Sequence, residues 1–243
     1  MIYPIYLLFL AIAPGLIWLF YFLKKDVHPE PRHMILKVFF LGMFSALLAA
    51  LVEAVFGYFA PKNIFFINEF SCQLIAFLSV VVGVALIEEI LKFLVVQGKI
   101  MRSSELDEPI DLVLYMIIAG LGFATLENIF IFLSPDIFLY TPKETFSLAF
   151  FRFISATFLH ALCSGTIGFF LALSFCEIKQ RLIFLPLGFA IAILLHGLYN
   201  FSIMNLGGDL RFGIPLIIII SLAIFISFGI KYLKNLKSIC KVK

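Results

Sequence analysis

Apolar positions along this chain neither alternate nor recur every third or fourth residue; they run on for roughly twenty residues at a time between short polar connections. A helix needs roughly 20 predominantly apolar residues to cross a bilayer. Seven spans are therefore predicted, at about 2–23, 34–59, 70–97, 110–133, 148–176, 182–205 and 212–233. The connections are too short for a soluble domain, and neither a low-complexity tract nor a repeat of fixed period interrupts them. The fold class that follows is all-α: a polytopic membrane helix bundle forming one domain over residues 1–243.

Composition agrees and adds an orientation. Of the residues, 63% are hydrophobic and 14% charged, and 31 are phenylalanine, which excludes an ordinary soluble domain. One set of connections holds Lys24, Lys25, Arg32, Lys37, Lys99, Arg102, Lys179, Arg181, Lys231, Lys234, Lys237, Lys241 and Lys243; the opposite set holds Lys62, Lys143, Arg152 and Arg211. Cytoplasmic loops carry the Lys/Arg excess, so the N-terminus is expected outside and the C-terminus in the cytoplasm, with the chain in the plasma membrane. The net charge of +3 then reads as anchoring to the lipid bilayer, not as a nucleic-acid footprint. No basic segment precedes the first apolar run, which is read as a retained span and not a signal peptide. Cys72, Cys163, Cys176 and Cys240 are scattered without metal-type spacing and suggest neither a disulfide framework nor a zinc knuckle.

Ionisable residues inside a bilayer are costly and mark functional sites by default. Glu88, Glu89 and Lys92 interrupt the third run. Glu88 and Lys92, four apart, share a helix face in the favourable order, while Glu89 is expected about 100° away. Glu127 and Asn128 follow Gly120 and Gly122, small residues that let a neighbouring backbone approach. His160 precedes Ser164 by one turn, and His196 precedes Asn200 in the same way. At 1.5 Å per residue, Glu127 lies roughly 10 Å from the outer end of its span, His196 about 15 Å, His160 about 18 Å and Glu88 about 25 Å. Side chains lean toward their own helix N-terminus, which carries Glu88 and His160 outward and Glu127 and His196 inward, so the four are expected to converge. Glu53 is expected to hydrogen-bond across a tight helix contact or to line the same cavity, Arg152 to snorkel to the interface, and Asp111 to favour a helix start.

Taken together, Glu88-Glu89-x-x-Lys92, Gly122-Phe-x-x-x-Glu127-Asn128, His160 with Ser164 and Gly165, and His196-Gly-Leu-Tyr-Asn200 resemble the motifs of PrsW-type intramembrane proteases. The loop Asp26-Val-His28-Pro29-Glu30-Pro31 is similar to that family's acidic, proline-flanked signature, with His28 where an acid is expected. The resemblance covers about residues 20–202. It extends more distantly to CAAX-type and bacteriocin-processing membrane proteases, which carry histidine where this chain has Glu127.

The resemblance implies an endopeptidase that cleaves a single-span membrane protein of the anti-sigma-factor type. Its catalytic residues would be Glu88, Glu89, Glu127, His160 and His196, supported by Lys92, Asn128, Ser164 and Asn200. Glu88 or Glu89 would act as general base, and His196 with Asn200 would donate to the oxyanion. Two mechanisms stay open: a zinc ion held by His160, His196 and a glutamate such as Glu127, or glutamate-based hydrolysis without a metal. The residues alone also admit a transporter or proton relay, or a scaffold that binds a partner helix through its glycine faces.

Overall fold

The computed structural model describes residues 2–26, 28–59, 69–101, 103 and 106–236. Lys62, Arg102, Lys237, Cys240, Lys241 and Lys243, used above, lie outside them. The described residues form helices α1 (Ile2–Leu23), α2 (Arg32–Phe59), α3 (Glu69–Val80), α4 (Leu86–Val95), α5 (Pro109–Phe132), α6 (Pro142–Ile154), α7 (Ala156–Cys176), α8 (Arg181–Asn205) and α9 (Leu210–Asn235), with no strand among them. Among the described residues seven stretches are long and apolar enough to cross a membrane: Pro4–Leu23, Arg32–Tyr58, Cys72–Gly98, Pro109–Phe132, Pro142–Cys176, Arg181–Asn205 and Leu210–Asn235. Each overlaps a predicted span, and the protein is a multi-pass membrane helix bundle.

Two spans depart from simple helices. In the third, α3 and α4 are joined by a π-helical turn at Val81–Ala85, and a second π turn, Val96–Ile100, follows α4. Such turns widen the spiral by one residue and re-aim the side chains beyond them. The fifth span starts at Pro142 and breaks at Ser155, whose φ of −116° and ψ of −85° leave the helical region. Its start was legible as a capping box: Glu144 N donates to Thr141 Oγ1 at 3.3 Å, and Thr141 N donates to Glu144 Oε2 at 2.8 Å, with Pro142 in the first turn.

α5 is the core of the bundle. Leu112, Leu114, Tyr115, Met116, Ile117, Ala119 and Leu121 are all 0% exposed, as expected of a helix that is apolar on every side. It is wrapped chiefly by α7, α2 and α1. Asp111 caps its start, accepting from Asp107 N at 3.1 Å and Glu108 N at 2.8 Å. The acidic loop docks on this same end, where Tyr115 donates its hydroxyl proton to Glu30 and His28 Nδ1 lies 2.7 Å from Glu108 Oε1. An acid at position 28 would repel Glu108, whereas histidine pairs with it. Burial holds the Glu30 carboxyl above the usual carboxylate range. Cys72 and Cys163 carry free thiols, whereas Cys176 is disulfide-bonded, which the scattered spacing had not suggested.

Close approach to α5 is set by missing side chains. A Cβ on Gly122 would collide with the Phe39 carbonyl of α2, and one on Gly120 would sit 2.6 Å from Ser164 Oγ and 2.7 Å from the His160 carbonyl of α7. Gly122→Leu is therefore expected to wedge α2 from α5 and destabilise the bundle by at least ~1–3 kcal/mol. Gly57→Leu, whose Cβ would meet nothing within 4 Å, is expected to stay within ~0.5 kcal/mol of the parent. Thermal unfolding of both variants in one lipid composition checks the contrast.

Candidate active site

α4 delivers three ionisable side chains into the bundle, with Glu88 at 5% exposure and Glu89 and Lys92 at 0%. Lys92 Nζ lies 3.0 Å from Glu88 Oε2 and 2.9 Å from Glu89 Oε1, so it binds both the i−4 and the i−3 carboxylate. The turn of about 100° between Glu88 and Glu89 does not part them at the ammonium, because a lysine stem reaches neighbours three and four residues back. The ring of Phe123 in α5 lies beneath the ammonium, 4.1 Å from ring centre to Nζ, a favourable cation–π contact in a dry site.

α7 and α8 add the imidazoles, again buried. His160 Nδ1 is 2.9 Å from Lys92 Nζ, and its Nε2 is 2.9 Å from Glu127 Oε2 at the far end of α5. His196 Nδ1 is 2.9 Å from Glu89 Oε1, and Ser164 Oγ is 3.4 Å from Glu89 Oε2. The two rings stand edge to face, 5.0 Å between centroids. Glu88 Oε2 faces both of them, 3.6 Å from His160 Nδ1 and 3.8 Å from His196 Nε2. The five predicted catalytic residues and Lys92 and Ser164 therefore form one cluster.

Hydrogen-bond logic fixes the ring orientations. Between two carboxylates Lys92 is an ammonium, which only donates. His160 Nδ1 must accept from it, leaving the ring proton on Nε2 for Glu127. Glu89 accepts in the same way from His196 Nδ1–H, which leaves the lone pair of His196 on Nε2. Each imidazole is thus backed by a carboxylate and presents an unprotonated nitrogen toward Glu88, an arrangement typical of histidines that bind a metal.

One donor atom each from Glu88, Glu89, His160 and His196 can be chosen so that all lie within 4.8 Å of one another. Glu127 is not in that set; its oxygen sits behind His160. With a side-chain exposure of 35%, against 7% for Glu88 and 0% for Glu89, it is the most accessible carboxylate of the cluster. Asn200, half-buried one turn beyond His196, makes no hydrogen bond to these groups.

Other polar residues fall differently from the sequence reading. Arg152 does not simply snorkel: Nη2 is 3.0 Å from Glu127 Oε2 and Nε is 2.5 Å from Asn128 Oδ1. Asn128 in turn donates to Thr157 Oγ1 at 3.1 Å and to the Ala11 carbonyl at 3.4 Å. An arginine inside an apolar run, with acids in the neighbouring spans, was the available signal. Glu53 extends the face on which Ala46 and Ala49 of α2 pack against Phe123, Ile87, Leu91 and Leu126. Its Oε1 is buried with no hydrogen-bond partner among the described residues, so the expected cross-helix bond is absent there. It lies near enough to Glu88, Glu127 and Lys92 to interact with their charges. A second acidic group, Asp26, Glu30 and Asp111, lies apart at the start of α5.

Comparison with known proteins supports the same reading. Residues 30–228 match the model of a family described as PrsW family intramembrane metalloprotease. The chain is 29% identical over 235 residues to Protease PrsW of Bacillus subtilis, covering 94% of each chain. It is 32% identical over 198 residues to Protease PrsW of Geobacillus kaustophilus, covering 80% of this chain and 78% of that one. Protease PrsW of Clostridioides difficile is 28% identical over 218 residues, 88% of this chain and 84% of the relative. No solved structure matches. With a family match that runs from the acidic loop through α8 and into α9, this chain belongs to the PrsW family of intramembrane metalloproteases.

Proposed function

We propose that this protein is an endopeptidase of the plasma membrane that cleaves a single-span membrane protein, of the anti-sigma-factor type, through a water molecule activated by the glutamate–histidine cluster. The observation that carries the reading is the pair of carboxylate-backed imidazoles whose unprotonated nitrogens face Glu88. A transporter would string such groups along a path; convergence on one buried point suits chemistry better. The excess of Lys and Arg supports an N-terminus outside and a cytoplasmic C-terminus.

Glu88 is the better general base of the adjacent pair. Glu89 already receives three donors, from Lys92, His196 and Ser164. Glu88 receives Lys92 on one oxygen only, and its second oxygen can take a proton from water and return it to the leaving amine. Lys92 holds the two carboxylates charged, and Asn200, unengaged by the cluster, would donate to the oxyanion. Glu127, the accessible edge of the cluster, marks the side from which water and the scissile bond approach.

The donor set also fits a metal. Two imidazoles and two carboxylates with atoms inside 4.8 Å of one another suit zinc, with His160, His196, Glu88 and Glu89 as the residues that would hold it and Glu127 orienting His160. A bound zinc ion supplies a water of lowered pKa and polarises the carbonyl. Lys92, bonded to three of those four residues, would have to withdraw, since one donor atom cannot face both cations at close range.

Purified protein reconstituted with a panel of single-span substrates tests the assignment. Glu88→Gln, Glu89→Gln and His196→Ala are each expected to lower turnover by at least about 10²-fold; cleavage unchanged in all three would overturn it. A chelator in the same assay, with the metal content of the purified protein measured in parallel, decides the mechanism. The zinc reading expects close to one ion per chain and loss of cleavage on chelation, restored by zinc. Full activity with no bound metal would leave glutamate-based hydrolysis.

A further inference from the structure

We propose that Arg152 is a positioning residue for this reaction: it holds the Glu127 carboxylate against His160 and so fixes the face that the imidazole turns to Glu88. The inference rests on the reading of His160 as part of the catalytic cluster.

The geometry is a short relay. Arg152 Nη2 is 3.0 Å from Glu127 Oε2, and the same oxygen lies 2.9 Å from His160 Nε2. One carboxylate oxygen thus receives both the guanidinium and the ring N–H, which fixes where that oxygen sits. The guanidinium is itself aimed, because Nε donates to Asn128 Oδ1 at 2.5 Å while the Asn128 amide is held by Thr157 and the Ala11 carbonyl. A planar fork meets these two acceptors on neighbouring residues of α5 with donors fixed in one plane, a direction that the freely rotating ammonium of lysine does not impose.

The backbone that carries Arg152 is also anchored. In an unbroken helix residues 152 and 160 would be roughly 12 Å apart along the axis. The break at Ser155 frees α6 to take its own direction. Trp18 of α1 clamps the break, donating from Nε1 to the Phe153 carbonyl at 2.9 Å and stacking on Phe153 and Phe158, 5.4 Å and 3.9 Å between ring centroids. A charge whose only task was to reach the interface would need neither the clamp nor Asn128. Such supporting contacts are what hold a functional side chain in one geometry.

The test combines kinetics with the nitrogen spectrum of the histidines, recorded on the full-length protein in lipid. Arg152→Gln is expected to retain the fold, leave KM for a membrane substrate near the parent value and lower kcat roughly 10- to 100-fold. It should also shift the His160 Nε2–H resonance, as the Glu127 oxygen that accepts from it loses its anchor, while Lys92 keeps the proton on Nε2. Arg152→Lys, which keeps the charge but not the fork, should recover part of both effects. A His160 signal and a kcat that match the parent in both variants would overturn the proposal, and so would a fall in kcat with an unmoved His160 signal. Should the glutamine variant fail to fold, the lysine variant alone decides by the same two readouts. Failure of the catalytic reading itself is separate: it would show as unchanged cleavage by His160→Ala, whereas the His160 nitrogen signal does not depend on cleavage.

Discussion

A lysine ammonium with no exposed surface sets the terms for the rest of this molecule. Taking a charge of that size out of water costs several kcal/mol even after relaxation, and only close partners of opposite sign with good geometry offset it. Lys92 has two carboxylates within 3.0 Å, an imidazole at 2.9 Å and an aromatic face beneath it. Those partners are spread over α4, α5 and α7. Helices that apolar surface alone would let slide in lipid are thereby tied to one register, because any slip would leave a buried charge unpaired.

Meeting those terms requires backbones to approach closely, and the fold does so by omission and by irregularity. Gly120 and Gly122 remove the side chains that would hold α7 and α2 away from α5, bringing His160 and Ser164 within reach of the α4 carboxylates. The π turns on either side of α4 set its ten-residue face apart from the spirals that flank it. The break at Ser155 lets one span contribute an arginine from one side and a histidine from the other. Irregular backbone inside a membrane is tolerated where protein covers it, and all three devices sit against neighbouring helices.

The spans were legible because hydropathy integrates over some twenty residues, and the site because charge in an apolar run is conspicuous. Glu88, Glu127, His160 and His196 could be read as one cluster from depth and lean together, since helix rise and side-chain lean are properties of any α-helix. What escaped was local. Composition does not reveal a π turn, and Glu89 was assigned to another face by a rule that ignores how far a lysine stem can bend. Arg152 was judged by its distance from the end of its span, a test blind to an acid on the next helix. Sequence offers Glu127 beside His160 and His196 as a candidate metal ligand, since it shows which residues meet but not that the Glu127 oxygen stands behind His160. Thr141-Pro142-x-Glu144 was the one missed feature written plainly in the chain, passed over because the hydropathy profile was still polar there.

The formal charges of the cluster explain why such a site is poised to act. Glu88, Glu89 and Glu127 are balanced by Lys92 and Arg152, with both histidines neutral in the tautomers their partners impose. One negative charge is left over, in surroundings where surplus charge is costly, and it falls on Glu88, whose second oxygen has no donor among the described residues. Glu53, close by and with an unpartnered oxygen of its own, adds to the same excess when ionised. Such a cluster is stabilised by gaining one positive charge. A proton taken from water meets that need in metal-free hydrolysis, and a divalent cation that displaced the Lys92 ammonium from the same donors, a net gain of one charge, would meet it in the metal-assisted form. The lysine and arginine that reduce the site's negative charge also leave it one charge short of balance, and that shortfall is what suits Glu88 to the proposed role of base.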